Sequence, residues 1–309
     1  MICCISHLIP PPNVKISVEA REHHGGGPAC TAIAAVGMLQ GRSAYSVRLG
    51  EDELSVYVKN QLSQRHVDTT YIIRDSEAAP YHSIITVDLE GNRNVFYDDS
   101  RFRPLVSEDL TDALILSSKL ILLDHFSGSA LTEVAKKIRS LGVPILGDIE
   151  GCSPSARQFI ELIDHLIVPC EFALWASGSA SPRDGCAYLA QTGRAATVVS
   201  AGSDGCYYTT GPDKCIMHFP ASKIDAFDTN GCGDTFHGFA LAVARDFLLE
   251  DAVLFASAAA AVKASGRNGT KRGWDALPTL KDIIFLLRSC PDIPGRSQLL
   301  KRIAELHPQ

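Results

Sequence analysis

Asp228-Thr229-Asn230-Gly231-Cys232-Gly233-Asp234 runs straight into the apolar stretch Thr235-Phe236-His237-Gly238-Phe239-Ala240-Leu241-Ala242, and it joins the makings of an anion site to a carboxylate. Two glycines around one small residue permit tight backbone turns that a Cβ would obstruct. The amides of Gly231, Cys232 and Gly233 can then point one way at the start of a helix, where unpaired N–H groups and the helix dipole favour negative charge. Asp234, in the first helical turn, has two readings from the residues alone. It is a dipole-stabilised cap, or it is a general base beside a phosphate.

A second glycine run, Gly25-Gly26-Gly27-Pro28-Ala29-Cys30-Thr31-Ala32, opens an Ala-rich stretch that reads as a helix ending near Gly41. Gly25, Gly26 and Gly27 would let backbone approach a ligand's hydroxyls closely, or they form a turn before that helix. Between the two runs, strand-like and helix-like patterns alternate. Leu120 to Asp124 is a short apolar run; Leu131, Val134, Ala135, Ile138 and Leu141 recur at helical spacing; Val143 to Asp148 returns to strand. Leu166 to Val168 and Thr197 to Ser200 read as further strands. This alternation predicts an α/β fold, a doubly wound and mostly parallel sheet with helices on both faces. Asp124, Asp148 and Ser200 then fall at strand C-terminal ends, the edge at which such sheets bind ligands. Two stretches break the pattern: Asn13 to Glu22 is extended and amphipathic, and Thr69 to Ile73 and His82 to Tyr97 read as strands with a hairpin turn at Glu90-Gly91-Asn92.

The chain has 309 residues, 46% of them hydrophobic, enough for one large core. A net charge of −6, with no long basic run, argues against a nucleic-acid binder. The ten cysteines are scattered without a CxxC pair, as expected of buried thiols in a reducing cytosol. Met1 to Ile9, followed by Pro10-Pro11-Pro12, does not read as a signal peptide, and no apolar span reaches the roughly 18 residues of a membrane helix. A cytoplasmic protein is the expectation.

The segment at 228–234 resembles the D-T-x-G-A-G-D signature of the PfkB (ribokinase-like) family of carbohydrate kinases, with Asn230 at the free position and Cys232 in place of Ala. The glycine run at 25–32 and Ser46-Val47-Arg48-Leu49-Gly50-Glu51-Asp52 resemble further family motifs in the same order, with Ser55 where a glycine is usual. The resemblance implies a single ribokinase-like domain over 1–309, with a small β-sheet lid formed by about 13–24 and 67–98 that often makes a dimer interface. It implies ATP and Mg²⁺ as cofactors, a small sugar as substrate, and Asp234 as the base taking a proton from a sugar hydroxyl while the amides of Gly231, Cys232 and Gly233 hold the transferred phosphoryl group. Asp228 would order this loop and can join a K⁺ site. Ser200-Ala201-Gly202-Ser203-Asp204-Gly205 is similar to the turn beside the ATP phosphates, and Lys223 to Phe227, Ser257 to Ala261 and Gly266 to Gly273 occupy positions that wall the adenine pocket. On the sugar side stand Gly25, Gly26, Gly27 and Asp124, with Lys15 either reaching an anionic substrate or solvated at a strand edge.

Three departures modify the picture. The Asp that ends the family's first strand would fall near Met1, so that central strand is expected to be missing, leaving a sheet edge open. Cys30 and Thr31 stand where an Asn often follows the glycines, a form closer to ketose and sulfofructose kinases than to ribokinase. The N-x-x-E motif is replaced by Pro169-Cys170-Glu171-Phe172, so Glu171 is one residue out of register as a ligand to metal-bound water. The expected activity is ATP-dependent phosphorylation of a primary hydroxyl of a ketose-like sugar; the alternatives are a catalytically weak ribokinase-like binding protein and a nucleoside kinase.

Overall fold

The computed structural model describes residues 2–4, 12–88, 92–210, 215–290 and 292–306. A small four-stranded sheet contains β1 (Ile2–Cys4), β2 (Ala20–Glu22), β3 (His82–Val87) and β4 (Arg93–Asp98), in the order β2-β1-β3-β4. β3 and β4 form an antiparallel hairpin in which Val87 lies opposite Arg93. The expected turn at Glu90-Gly91-Asn92 falls partly outside the described residues. Of the extended stretch from Asn13, only Ala20–Glu22 is strand. Val67–Asp68 and Ile73–Arg74 do not join this sheet; they pair in parallel with Ser43–Ala44 and Arg48–Leu49.

The main sheet contains β5 (Ile121–Asp124), β6 (Ile145–Asp148), β7 (His165–Pro169), β8 (Ala196–Ser200), β9 (Cys206–Thr209) and β10 (Met217–Phe219), side by side in the order β10-β9-β8-β7-β6-β5. The first four run parallel, and β9 and β10 turn back antiparallel. Parallel strands buried on both faces read as continuous apolar runs rather than alternations, as the sequence does here. Leu146, Ile167 and Val198 pack on one face against Phe239 and the helices Leu249–Ala264 and Leu280–Ser289. Ile145, Leu166 and Val168 pack on the other against Leu131, Val134 and Ile138 of the helix Gly128–Ser140. Removing one such side chain from water contributes about 1.5–3 kcal/mol, so these two layers hold the sheet between them.

Register matters for the site. Asp148 lies beside Asp124 across β6 and β5, and Ser200 lies beside Pro169 across β8 and β7. The acids and hydroxyl expected at strand ends therefore share one edge of the sheet. Three helices bring the rest: α1 (Pro28–Met38), α2 (Cys232–Phe236) and α3 (Leu249–Ala264). Gly27 caps α1 at φ 86°, a left-handed conformation that only glycine adopts without strain, and Pro28 fits the first turn because its missing N–H would have no partner there.

The outer edge of β5 has no strand partner among the described residues. Along it runs a cavity of about 1730 Å³, bounded on one side by Ile121 to Asp124 and on the other by Ile33 and Val36 of α1 and by Ser43 to Leu49. The described strand nearest the N-terminus, Ile2–Cys4, lies in the small sheet.

Candidate active site

The cavity's deep end is where the two glycine-rich segments meet. Gly25 to Gly27, Asp124, Asn230, Gly231 and Asp234 all line it. Asp124 ties β5 to α1: its carboxylate accepts from the Ala29 amide and from the Phe126 amide, both at 3.2 Å. Burial raises its pKa while those two amides oppose the rise. Gly25 is set by a close approach, since a Cβ there would stand 2.5 Å from the Trp274 ring. Trp274 is itself buried and donates from Nε1 to Thr31 Oγ1 at 2.9 Å, locking α1 to the C-terminal part of the chain.

The 228–234 loop enters α2 through Gly231 at φ 75°. Cys232 N donates to Thr229 O at 3.4 Å, whereas the amides of Gly231 and Gly233 find no acceptor among the described residues. Gly231 lines the cavity, and Gly233, close to it in the chain, is exposed. Unpaired N–H groups beside a cavity are suited to an anion. Cys232 keeps its proton: burial pushes the thiol up to about 11, and its Sγ donates to Asp228 O at 3.7 Å.

Asp234 stands partly exposed at the cavity wall, and its pKa is pushed up to about 7. Burial is the first cause, followed by repulsion from Asp148 and Glu150; His237 opposes them and Asp124 adds to them. Asp148 lies beneath, its carboxyl raised well above the ordinary range by burial first and then by Glu150 and Asp124. His237 donates from Nδ1 to Gly233 O at 3.0 Å, with Asp148 Oδ2 at 3.5 Å from the same nitrogen. Asp234 is thus a carboxylate of near-neutral pKa at the wall of a cavity, with the unpaired amides of Gly231 and Gly233 in the turn before it. That combination suits a general base beside an anion.

Behind the loop, Asp228 is fully engaged. Its Oδ1 accepts from Asn230 N at 3.1 Å and Nδ2 at 3.0 Å, and its Oδ2 accepts from Lys263 Nζ and Gly273 N, both at 2.8 Å. From the small sheet, Arg93 reaches the same loop, donating to Asn230 Oδ1 at 2.7 Å.

A family model described as "pfkB family carbohydrate kinase" matches residues 4–275. The chain belongs to the pfkB family of carbohydrate kinases. It is 25% identical over 229 residues to a ribokinase of Staphylococcus aureus (strain COL), covering 71% of this chain and 74% of the relative. It is 26% identical over 292 residues to a probable fructokinase-5 of Arabidopsis thaliana, covering 86% of this chain and 88% of the relative. Among solved structures, a putative ribokinase from Agrobacterium tumefaciens superposes with a TM-score of 0.80 at 24% identity, covering 93% of this chain and 94% of that one. The Arabidopsis thaliana ribokinase complexed with ribose and ATP gives 0.77 at 20% identity over 92% and 94%. These likenesses establish the ribokinase-like α/β fold.

Within this kinase, Gly273 is the one member of the stretches expected on the nucleotide side that lines the cavity; the rest lie apart from it. Ser200 ends β8, Gly202 to Asp204 form a 3₁₀ turn, and Gly205 follows at φ 95°, where a Cβ would run into the backbone of Phe219 and Ala221. Gly266 takes φ 58° against the Phe227 ring. Ser257 and Ala261 are on α3, with Ser257 hydrogen-bonded to the Cys206 thiol and Ala261 buried. None of these residues lines the cavity. Lys15 is exposed in the coil before β2 and does not line it either.

Glu171 is exposed in the first turn after β7, where it and Asp204 add to the raised pKa that burial gives the Cys170 thiol. Among the described residues no three His, Cys, Asp or Glu side chains are grouped to hold a metal. Magnesium seldom needs such a cage, because it keeps several waters and binds through one or two carboxylates plus substrate phosphates. Glu171 beside the Ser200–Gly205 turn fits that mode. No helix among the described residues is long and apolar enough to cross a membrane.

Sequence reasoning missed Arg93, Lys263, Trp274 and an aromatic wall of Tyr81, Tyr97 and Phe126. Tyr81 stacks on Tyr97 at 5.1 Å between centroids and meets Phe126 edge-on at 5.1 Å, all three lining the cavity. A lone lysine inside Ala258-Ala259-Ala260-Ala261-Val262-Lys263-Ala264 was the one available signal of a buried charge. The aromatics carry no such mark, since strand and loop positions fill with them for packing alone.

Proposed function

We propose that this kinase transfers the γ-phosphoryl group of ATP to a primary hydroxyl of a small ketose or ketose derivative. The observation that carries the reading is Asp234: a carboxylate of pKa about 7 at the wall of a cavity, with the unpaired amide of Gly231 one turn before it and that of Gly233 directly before it. The acceptor lies between Gly25 to Gly27, Asp124 and the aromatic wall. Its hydroxyl oxygen attacks the γ-phosphorus, the bond from that phosphorus to the oxygen of the ADP leaving group breaks, and the hydroxyl proton passes to Asp234. The Gly231 and Gly233 amides hold the equatorial charge, which is the main demand of phosphoryl transfer. Magnesium, bound with the nucleotide near Glu171, would neutralise charge on the β- and γ-phosphates.

The small sheet acts as a lid over the acceptor. Ile84 and Phe96, opposite each other across the hairpin, leave exposed apolar surface on the face of its strands away from Val95, which supports a homodimer through that sheet. A nucleoside acceptor is the second reading, favoured by the aromatic wall of Tyr81, Tyr97 and Phe126, since an aromatic surface beside the cavity can stack with a planar base as well as pack on a sugar face. A coupled ADP-release screen over ketoses, aldoses, sulfosugars and nucleosides decides between them. Turnover with nucleosides alone would overturn the ketose assignment.

A further inference from the structure

The loop that carries Asp234 depends on Asp228, and Asp228 has no room for another cation. A carboxylate offers about four lone-pair positions. All four are used: Asn230 contributes two donors to Oδ1, while Lys263 and the Gly273 amide contribute one each to Oδ2. The Asp228 carbonyl, the other oxygen of this residue facing inward, has Lys263 Nζ at 3.4 Å and the Cys232 thiol at 3.7 Å. Lys263 and Asp228 are both 1% exposed in their side chains. A second positive charge in this buried volume would face the ammonium directly, with little water to screen it. The K⁺ expected at Asp228 does not fit.

We propose that Lys263 is a built-in cation that takes the place of a bound monovalent ion, so that the loop is ordered for phosphoryl transfer without potassium. The lysine reaches Asp228 from α3, and its Cε lies 3.9 Å from where a Cβ on Gly231 would stand. It therefore holds a positive charge directly behind the backbone turn that presents the Gly231 amide. Lys263 is a positioning residue: it acts on the anion-holding amides through Asp228 and the backbone. Loss of its charge leaves a buried carboxylate uncompensated, the situation in which a small cation from solution gains most.

The inference rests on the phosphotransfer reading for its kinetic arm alone, because a thermal arm reads the site directly. Wild type and Lys263→Ala are compared in potassium chloride and in choline chloride at equal ionic strength, following both ADP release and the thermal midpoint. Wild type is expected to turn over within about twofold in the two salts, with the same midpoint in each. Lys263→Ala is expected to lose activity in choline and to regain at least about tenfold in potassium or ammonium, with a midpoint that rises with potassium concentration. A wild type activated tenfold by potassium, or stabilised by it, overturns the proposal. So does a folded Lys263→Ala that responds to neither potassium nor ammonium. If Lys263→Ala does not fold in any salt, the wild-type comparison decides. If no acceptor supports turnover, the phosphotransfer reading fails while the two midpoints still test Lys263.

Discussion

The Arg93 guanidinium donates to Asn230 Oδ1 at 2.7 Å, joining the hairpin of the small sheet to the loop that carries Asp234. The two residues are 137 positions apart in sequence. Asn230 in turn donates twice to Asp228, so the contact continues into the buried Lys263 pair.

Because this contact bridges the two halves of the site, Arg93→Ala is expected to lower kcat/KM by about tenfold, through misplacement of the acceptor rather than loss of the base. Fold stability should change little, since Arg93 is exposed. Steady-state kinetics with urea unfolding checks both, and an unchanged kcat/KM would show that this contact has no part in turnover.

The pH dependence follows from Asp234. The base must be unprotonated in the free enzyme, and its pKa is pushed up to about 7 by burial and by Asp148 and Glu150. kcat/KM is therefore expected to fall on the acid side with a midpoint near 7, rather than near the ordinary 3.8. An acid limb that begins only below pH 5 would remove Asp234 from that role.

The same shift has a stability consequence with a definite sign. A carboxyl whose folded pKa is raised binds its proton more tightly when folded, so its contribution is present below 3.8 and is lost as pH rises toward 7. Asp234→Asn removes the group that is disfavoured when charged. The variant is expected to melt a few degrees above wild type at pH 8, with the difference shrinking toward pH 4, as measured by differential scanning calorimetry.

Much of this site was legible in the residues before any geometry. The strand-end acids Asp124 and Asp148 and the hydroxyl Ser200 fall where continuous apolar runs stop, because a parallel sheet sends every strand's C-terminus to one edge. The Gly231 turn and Asp234 were legible because left-handed backbone and a helix start restrict residue type. Arg93 and Lys263 were not, since a long side chain's destination is set by which distant element packs beneath it. The placement of Ile2–Cys4 in the small sheet, and of 67–74 outside it, likewise depends on pairings between segments far apart that local pattern does not encode.

Gly25 provides a test of the acceptor side. A methyl at this position would collide with the Trp274 ring, which cannot move without breaking its bond to Thr31. Gly25→Ala is expected to raise KM for the acceptor and to lower stability by about 1–3 kcal/mol, the usual effect of overpacking. Gly26→Ala, where a Cβ meets nothing within 4 Å, serves as the control for stability.

Acceptor-dependent ADP release by wild type and Asp234→Asn, each with ATP binding measured by calorimetry, tests the central claim most directly. The account predicts that the variant binds ATP with unchanged affinity and loses about 10²- to 10⁴-fold in turnover, the usual cost of removing a positioned base. A variant that turns over at the wild-type rate would contradict it.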